Sequence, residues 1–346
     1  MAILTGERVF GKTQEGVEST PGTPVATTAM LNMETGSIPE LDRAEGAPQE
    51  DYGTISDRQT GRAYYGVRLM KVPAKGVVRF EDIMRYLEPG LAGGVSPSVP
   101  EAGSYLWTYT ADDTTDTVKS RTLKFGDQIN VYSSAYCLAE KIHLYYDALA
   151  TGSNAPWKID VDYFGQDLAG GASFDVVTAV SGAESPMGHL TRIYFGSTST
   201  VFNSLSEVTG SLVKFDMTID TGIVTRKWGG ATDTFSAHGR TNRKIEFTAT
   251  VFATAAGYTA YYSPWQNTAL ITALEKRMRI QAVGSIIGAT TKYRTLTIDG
   301  RIQAKLVKLA DHNGGAIFEI SGSYTDDATL ASNIQIAVQN GVAALT

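Results

Sequence analysis

Trp157-Lys158-Ile159-Asp160-Val161-Asp162-Tyr163-Phe164-Gly165 alternates residue by residue, with Trp157, Ile159, Val161 and Tyr163 on one side and Lys158, Asp160 and Asp162 on the other. A period of two marks a strand with one dry face and one wet face. Just upstream, EKIHLYYDA (140–148) reads as its hairpin partner, with Ile142 and Leu144 turned inward. The small and turn-forming residues of ATGSNAP (150–156) supply the tip.

The same order of elements occurs twice. From Gly36 to Gly171, and again from Gly210 to Asp327, alternating strands lead through one short amphipathic helix to a long hairpin. The copies are about 160–190 residues apart, far beyond the 20–50 of a solenoid repeat. In the first, Ala63, Tyr65, Val67 and Leu69 alternate, and FEDIMRYLEPGL (80–91) reads as the helix. Glu81 and Asp82 then fall in its first turn, and Pro89-Gly90 stops it. A strand is expected near Tyr105 to Thr110, followed by a solvated tip at ADDTTDT (111–117).

In the second copy Val213, Phe215, Met217 and Ile219 alternate with Lys214, Asp216, Thr218 and Asp220. Ile245, Phe247, Ala249 and Val251 alternate with Lys244, Glu246, Thr248 and Thr250. Ser263-Pro264-Trp265-Gln266 is a capping box with proline at the first helical position. Ala269, Leu270, Ala273 and Leu274 give that helix its apolar face, with Lys276, Arg277 and Arg279 near its negative end. The closing hairpin runs from TLTIDGRIQAKLVKL to AIFEISGSY. Met1 to about Thr35 reads as an extended arm, since Pro21 and Pro24 forbid helix.

Composition narrows the function. The chain has 346 residues, which fits about two domains. Its 35 glycines and only 11 prolines favour many turns and strands. A net charge of -6 argues against a protein that coats nucleic acid. Cys137 is the only cysteine, so the chain has no internal disulfide and no cysteine zinc cluster. No apolar run approaches the roughly 20 residues that span a bilayer. The N-terminus lacks a secretory layout, so folding in a reducing cytoplasm is expected.

Chemistry-bearing motifs fail for lack of context. Gly6-Glu7-Arg8-Val9-Phe10-Gly11-Lys12-Thr13 matches the P-loop pattern, but that loop needs a strand before it and a helix after it. QEGVESTPGTP follows instead, so the match reads as a hinged basic spot. His143, His189, His238 and His312 have no ligand-like spacing. Asp112, Asp113 and Asp116 lack the glycine and terminal glutamate of a calcium loop. Basic and aromatic residues interleave at Arg226-Lys227-Trp228 and Arg62-Ala63-Tyr64-Tyr65, which suits subunit contacts better than nucleic acid. The chain reads as no enzyme, with no catalytic, cofactor or metal residues. Asp160, Asp162, Asp216, Asp220, Glu246 and Glu319 occupy the polar faces of well-patterned strands, either facing solvent or lining a channel.

Three passages together resemble the tail tube proteins of long-tailed bacteriophages, in their two-domain form. They are GVESTPGTPVATTAMLNMETGSI (16–38), LKFGDQINVYSSAYCLAEKIHLYYDALATGSNAPWKIDVDYFGQDL (123–168), and the second hairpin. The resemblance implies a mainly β fold of two tandem β-sandwich or barrel domains, over 36–185 and 200–346. Each would carry one short flanking α-helix, with the extended arm at 1–35. It further implies inner sheets that join edge to edge, and a three-fold ring of pseudo-six-fold character in place of a hexamer. Such closure removes exposed strand edges.

Rings stacked through heterologous contacts would form a tube for viral DNA, which passes without specific binding. Under this resemblance Asp160, Asp162, Asp216, Asp220, Glu246 and Glu319 line the lumen, and Ile3, Leu4, Val9 and Phe10 make inter-ring contacts. Deleting Met1 to Thr20 would then block tube growth and leave the subunit folded. The expected partners are copies of the chain itself, a tape-measure protein and tail-end proteins, with no membrane and no cofactor. The expected location is the virion tail, assembled in host cytoplasm. The alternative is a β-sandwich virion module that binds carbohydrate or a receptor without forming tubes.

Overall fold

The computed structural model describes residues 12–34, 37–46, 64–111, 117–127, 130–147, 155–177, 182–208, 212–227, 233–255, 258–263, 275–312 and 315–345. The first half contains β1 (Lys12–Val17), β2 (Ala29–Leu31), β3 (Glu40–Gly46), β4 (Tyr64–Val77), α1 (Ile83–Leu87), β5 (Ser98–Glu101), β6 (Ser104–Thr110), β7 (Arg121–Gly126), β8 (Val131–Asp147), β9 (Lys158–Gly165) and β10 (Ala169–Ala172). The second contains β11 (Thr191–Gly196), β12 (Ser206–Glu207), β13 (Leu212–Asp220), β14 (Ile223–Arg226) and β15 (Ala237–Arg240). It continues through β16 (Lys244–Phe252), β17 (Glu275–Ile286), β18 (Tyr293–His312), β19 (Gly315–Thr325) and β20 (Ile334–Asn340). The chain is mainly β, and its strand ladders are antiparallel.

The pairing scheme repeats. β1 pairs with β2 and β7, β7 with β8, β8 with β9 and β10, β9 with β4, and β4 with β3. In the same order, β11 pairs with β12 and β17, β17 with β18, β18 with β19 and β20, β19 with β16, and β16 with β13. Even an irregularity recurs: the β8–β9 register slips between Ala139 and Lys141, and the β18–β19 register between Ala304 and Leu306. Each slip inserts one extra residue, Glu140 or Lys305, as a β-bulge.

The long strands β8 and β18 each belong to two layers. Their C-terminal halves enter a run of eight strands ordered β3-β4-β9-β8-β13-β16-β19-β18. Their N-terminal halves pair with β7 and β10, and with β17 and β20, in the opposing layer. In β8 the change of layer comes at Tyr136, whose φ of 54 lies in the left-handed region. Glu18 Oε1 holds that turn by accepting from the Tyr136 N–H at 2.9 Å. A side chain larger than glycine is strained there unless such contacts fix it.

Between the layers lies one apolar core that draws on both halves, including Met70, Val72, Tyr109, Ile142, Leu144, Trp157, Phe215, Met217, Phe247, Ile298 and Ile336. Each large side chain sealed there contributes about 1.5–3 kcal/mol. Met70, Val72 and Ala74 supply the core from β4. The alternating pair Val67 and Leu69 faces away and packs on a smaller cluster of Tyr136, Leu138, Phe164, Ile223 and Phe235.

Several expectations change. From Lys12 onward the expected arm is part of the fold: β1 is flanked by β2 and β7, and Thr13, Gln14 and Glu15 are buried. Its counterpart β11 lies between the two expected domains, so the pairing pattern reaches beyond both expected starts. Deleting Met1 to Thr20 would remove a strand flanked on both sides, so truncated chains are expected to lose cooperative unfolding. A melt matching the full chain would contradict this.

The first expected helix is the five-residue α1, buried throughout and without a side-chain cap from Asp82. Glu81 accepts from Arg294 Nε at 2.6 Å instead of facing the helix end. The capping box and apolar face of the second helix lie outside the described residues, apart from Ser263. Lys276, Arg277 and Arg279 lie in strand β17. Arg277 grips Asp327 through Nε at 2.7 Å and Nη2 at 2.8 Å, and Arg279 grips Asp299 in the same forked way.

The β1–β2 hairpin is fastened by Asp175, which accepts from the Thr27 N–H at 2.6 Å and from Lys124 Nζ at 2.7 Å. The Lys124 hydrogen bond, and then those from Thr27, hold its carboxyl down to about 2. A depressed carboxyl contributes stability above its unfolded range and loses it as pH falls through about 2. Asp175→Asn is therefore expected to flatten the acid limb of stability between about pH 4 and 2. Urea titrations across that window check this, and an unchanged slope would contradict it.

Candidate functional site

Alternation along the strands puts one continuous polar face on the eight-stranded run. On β8, Ile142, Leu144 and Tyr146 are buried, which leaves Lys141, His143 and Tyr145 on the other side. On β13, Val213, Phe215, Met217 and Ile219 are buried, which leaves Lys214, Asp216, Thr218 and Asp220. Register then carries rows of side chains across strands. One row reads Lys75, Asp160, His143, Thr218, Glu246 and Ser323. Another reads Asp147, Lys214, Thr250, Glu319 and Lys308.

All six carboxylates singled out from sequence, Asp160, Asp162, Asp216, Asp220, Glu246 and Glu319, share this face. They are not alone on it. His143 Nε2 meets Asp216 Oδ1 at 3.0 Å, and its Nδ1 lies 3.8 Å from Asp160 Oδ2. The His143 hydrogen bond holds Asp216 below the usual carboxylate range against the opposing effect of burial. Glu246 is held low by the hydrogen bond from Lys244 at 3.0 Å, with Lys305 at 3.5 Å. Asp162 stands opposite Lys141, and Glu319 opposite Lys308. Asp220 lies opposite both Lys141 and Lys244, and its Oδ1 also accepts from the Gly222 N–H at 3.0 Å, fixing the turn after β13.

Sequence reading picked out the acids and missed how evenly lysines answer them. Lys71, Lys75, Lys141, Lys158, Lys214, Lys244 and Lys308 all stand on the same face. Lys71 reaches Asp42 at 2.8 Å, Lys158 reaches Glu34 at 3.3 Å, and Lys214 reaches Asp147 at 3.5 Å. The face is therefore a lattice of alternating charge and not an acidic wall. Exposed pairs of this kind contribute about 0–1 kcal/mol each and chiefly set the local field. The signal was present in the same alternation, since each lysine occupies the parity of a neighbouring acid.

The two ends of the eight-stranded run are edges. β3 pairs with β4 alone, and the C-terminal half of β18 pairs with β19 alone, among the described residues. Ile38, Leu41, Leu306 and Leu309 belong to these edges and are 53%, 39%, 47% and 51% exposed. Open strand edges bearing apolar residues are templates for pairing with another chain.

The remaining sequence candidates form no site among the described residues. Lys12 and Thr13 of the P-loop match are in strand β1, and the rest of the match lies outside the described residues. Ile3, Leu4, Val9 and Phe10 also lie outside them, as do Asp112, Asp113, Asp116, Trp228 and Arg62. Among the described residues, no group of three or more His, Cys, Asp or Glu is placed to hold a metal. No helix among them is long and apolar enough to cross a membrane. Cys137 is buried, which pushes its thiol up to about 12 and leaves it unreactive at neutral pH. Neither the family models nor the curated proteins compared with this chain include one that matches it.

Proposed function

We propose that this chain is a structural virion protein whose copies close into rings, and that the rings stack into the hollow tail tube of a long-tailed bacteriophage. The observation that carries this reading is the β8–β13 ladder. It joins the four-stranded sheet β3-β4-β9-β8 of one repeat edge to edge with the sheet β13-β16-β19-β18 of the other. Among the described residues, the same two kinds of edge, one like β13 and one like β8, are left open as β3 and the C-terminal half of β18. A contact of this kind is heterologous, so it propagates from chain to chain until a rotation closes it.

In the closed ring the polar face lines the lumen and the apolar face stays within each wall. The lumen cations are lysines, most of them held by a neighbouring carboxylate. Lysine meets phosphate as a point charge, without the forked grip of arginine. A mixed lattice of paired charges gives DNA no strip of free positive charge to bind. Tape-measure and tail-end proteins are the further partners of this reading, and the virion tail is its location.

Electron microscopy of purified protein across a concentration series tests it. Hollow tubes or stacked rings are expected as concentration rises. A concentration-independent monomer that binds glycan would instead favour the carbohydrate- or receptor-binding alternative.

A further inference from the structure

The repeat allows the contact between neighbouring chains to be specified residue by residue, a step that rests on the ring reading above. The recurring bulge aligns Ala139 with Ala304 and Lys141 with Leu306. Following the ladders outward, Tyr163 aligns with Gly322, Val72 with Phe247, and Lys71 with Glu246. Glu40, opposite Lys71, therefore aligns with Thr218, opposite Glu246. Within the chain, Thr218 pairs with His143, Ile219 with Ile142, and Asp220 with Lys141. Carrying each residue to its counterpart gives the missing ladder.

We infer that β3 of one chain pairs antiparallel with the C-terminal half of β18 of a second copy, with Glu40 opposite Lys308, Leu41 opposite Val307 and Asp42 opposite Leu306. Continuing the register brings Pro39 opposite Leu309 and Ile38 opposite Ala310. The occupant of each free edge is thus the other free edge of the same protein.

Two independent features agree with this register. The internal junction buries Ile219 against Ile142 and Met217 against Leu144, all at 0% exposure. In the register proposed, their counterparts are Leu41 with Val307 and Pro39 with Leu309, so the core continues across the junction. Leu41 and Leu309 are the half-exposed members of that set, and the junction covers them. On the polar side, Glu40 and Lys308 are both exposed and opposite in charge, a favourable cross-strand pair.

The test uses the full chain carrying Glu40→Cys and Lys308→Cys, with Cys137 buried and retained. Directly opposed Cβ atoms lie about 4.5–5.5 Å apart, close enough for mild oxidation to link them. Assembled protein should run as a ladder of covalent multimers on a non-reducing gel. A shifted pair, Glu40→Cys with Ala310→Cys, should stay largely monomeric. Without cysteines, Glu40→Lys and Lys308→Glu should each raise the concentration needed for assembly about fivefold, and the double exchange should restore it. Tubes that link through the shifted pair would overturn the register while leaving the ring reading intact. Absence of both tubes and cross-links would overturn the ring reading itself.

Discussion

Arg121→Met is expected to lower unfolding free energy by about 3–5 kcal/mol, because it leaves buried carboxylates without their cation. Arg121 is 0% exposed, with Nη2 at 2.6 Å from Glu88 Oε2 and Nε at 3.7 Å from Glu15 Oε2. Arg85 reaches the other oxygen of Glu15 at 2.8 Å. The cluster thus fastens β1 and α1 to β7. Burial pushes the Glu88 carboxyl above its ordinary value, and Arg121 pulls against that push.

A carboxyl raised in the folded state takes up protons on folding, so stability falls as pH rises through the raised range. Losing Arg121 should steepen that fall and extend it to higher pH. Denaturant titrations at several pH values would measure both effects. Adding Glu88→Gln to Arg121→Met should recover part of the loss, since the isolated charge is then gone. A loss under about 1 kcal/mol for Arg121→Met would contradict a structural role for the cluster.

Trp157→Ala should cost about 3–5 kcal/mol, the range for emptying a large aromatic site in a packed core. The side chain is 0% exposed, and its ring lies 5.1 Å from Tyr146 and 5.7 Å from Phe215. Its indole N–H donates to Thr191 Oγ1 at 2.9 Å, and the Thr191 hydroxyl donates in turn to the Met187 carbonyl at 2.9 Å. The residue just before β9 therefore ties that strand's start to the start of β11 and to β13, across the boundary between the repeats. Because both halves share a core, the variant should melt in one transition at lower temperature. Thr191→Val should cost only about 1 kcal/mol, the worth of the hydrogen bond. Two separate transitions in the Trp157 variant would mean that the halves fold independently.

The strands with one wet and one dry face were legible in sequence. WKIDVDYFG, the Val213 and Ile245 stretches, and both closing hairpins fell where alternation put them, because the core demands a period of two. β1 was not legible. Its KTQEGV has no apolar alternation, since Glu15 is buried in an ionic cluster and Gln14 is buried against Asp175 and Thr27. The strand setting of Arg277 and Arg279 was hidden for a related reason. Basic residues after an apolar stretch suit a helix end, and their place in β17 emerges only with their partners Asp327 and Asp299. The polar face was half legible: the acids stood out, and their lysine partners became visible only once register placed them opposite one another. The open edges of β3 and β18 were invisible to local pattern, because an edge is defined by the neighbour it lacks.

The measurement closest to the central claim is a cryo-EM reconstruction of the self-assembled protein, read for the number of chains in each ring. If the internal β8–β13 junction and the intermolecular β18–β3 junction are the same kind of contact, each ring holds three chains in pseudo-six-fold symmetry. The eight-stranded runs would follow one another unbroken around the channel. Six chains per ring, or chains that touch without their β3 and β18 edges, would contradict it.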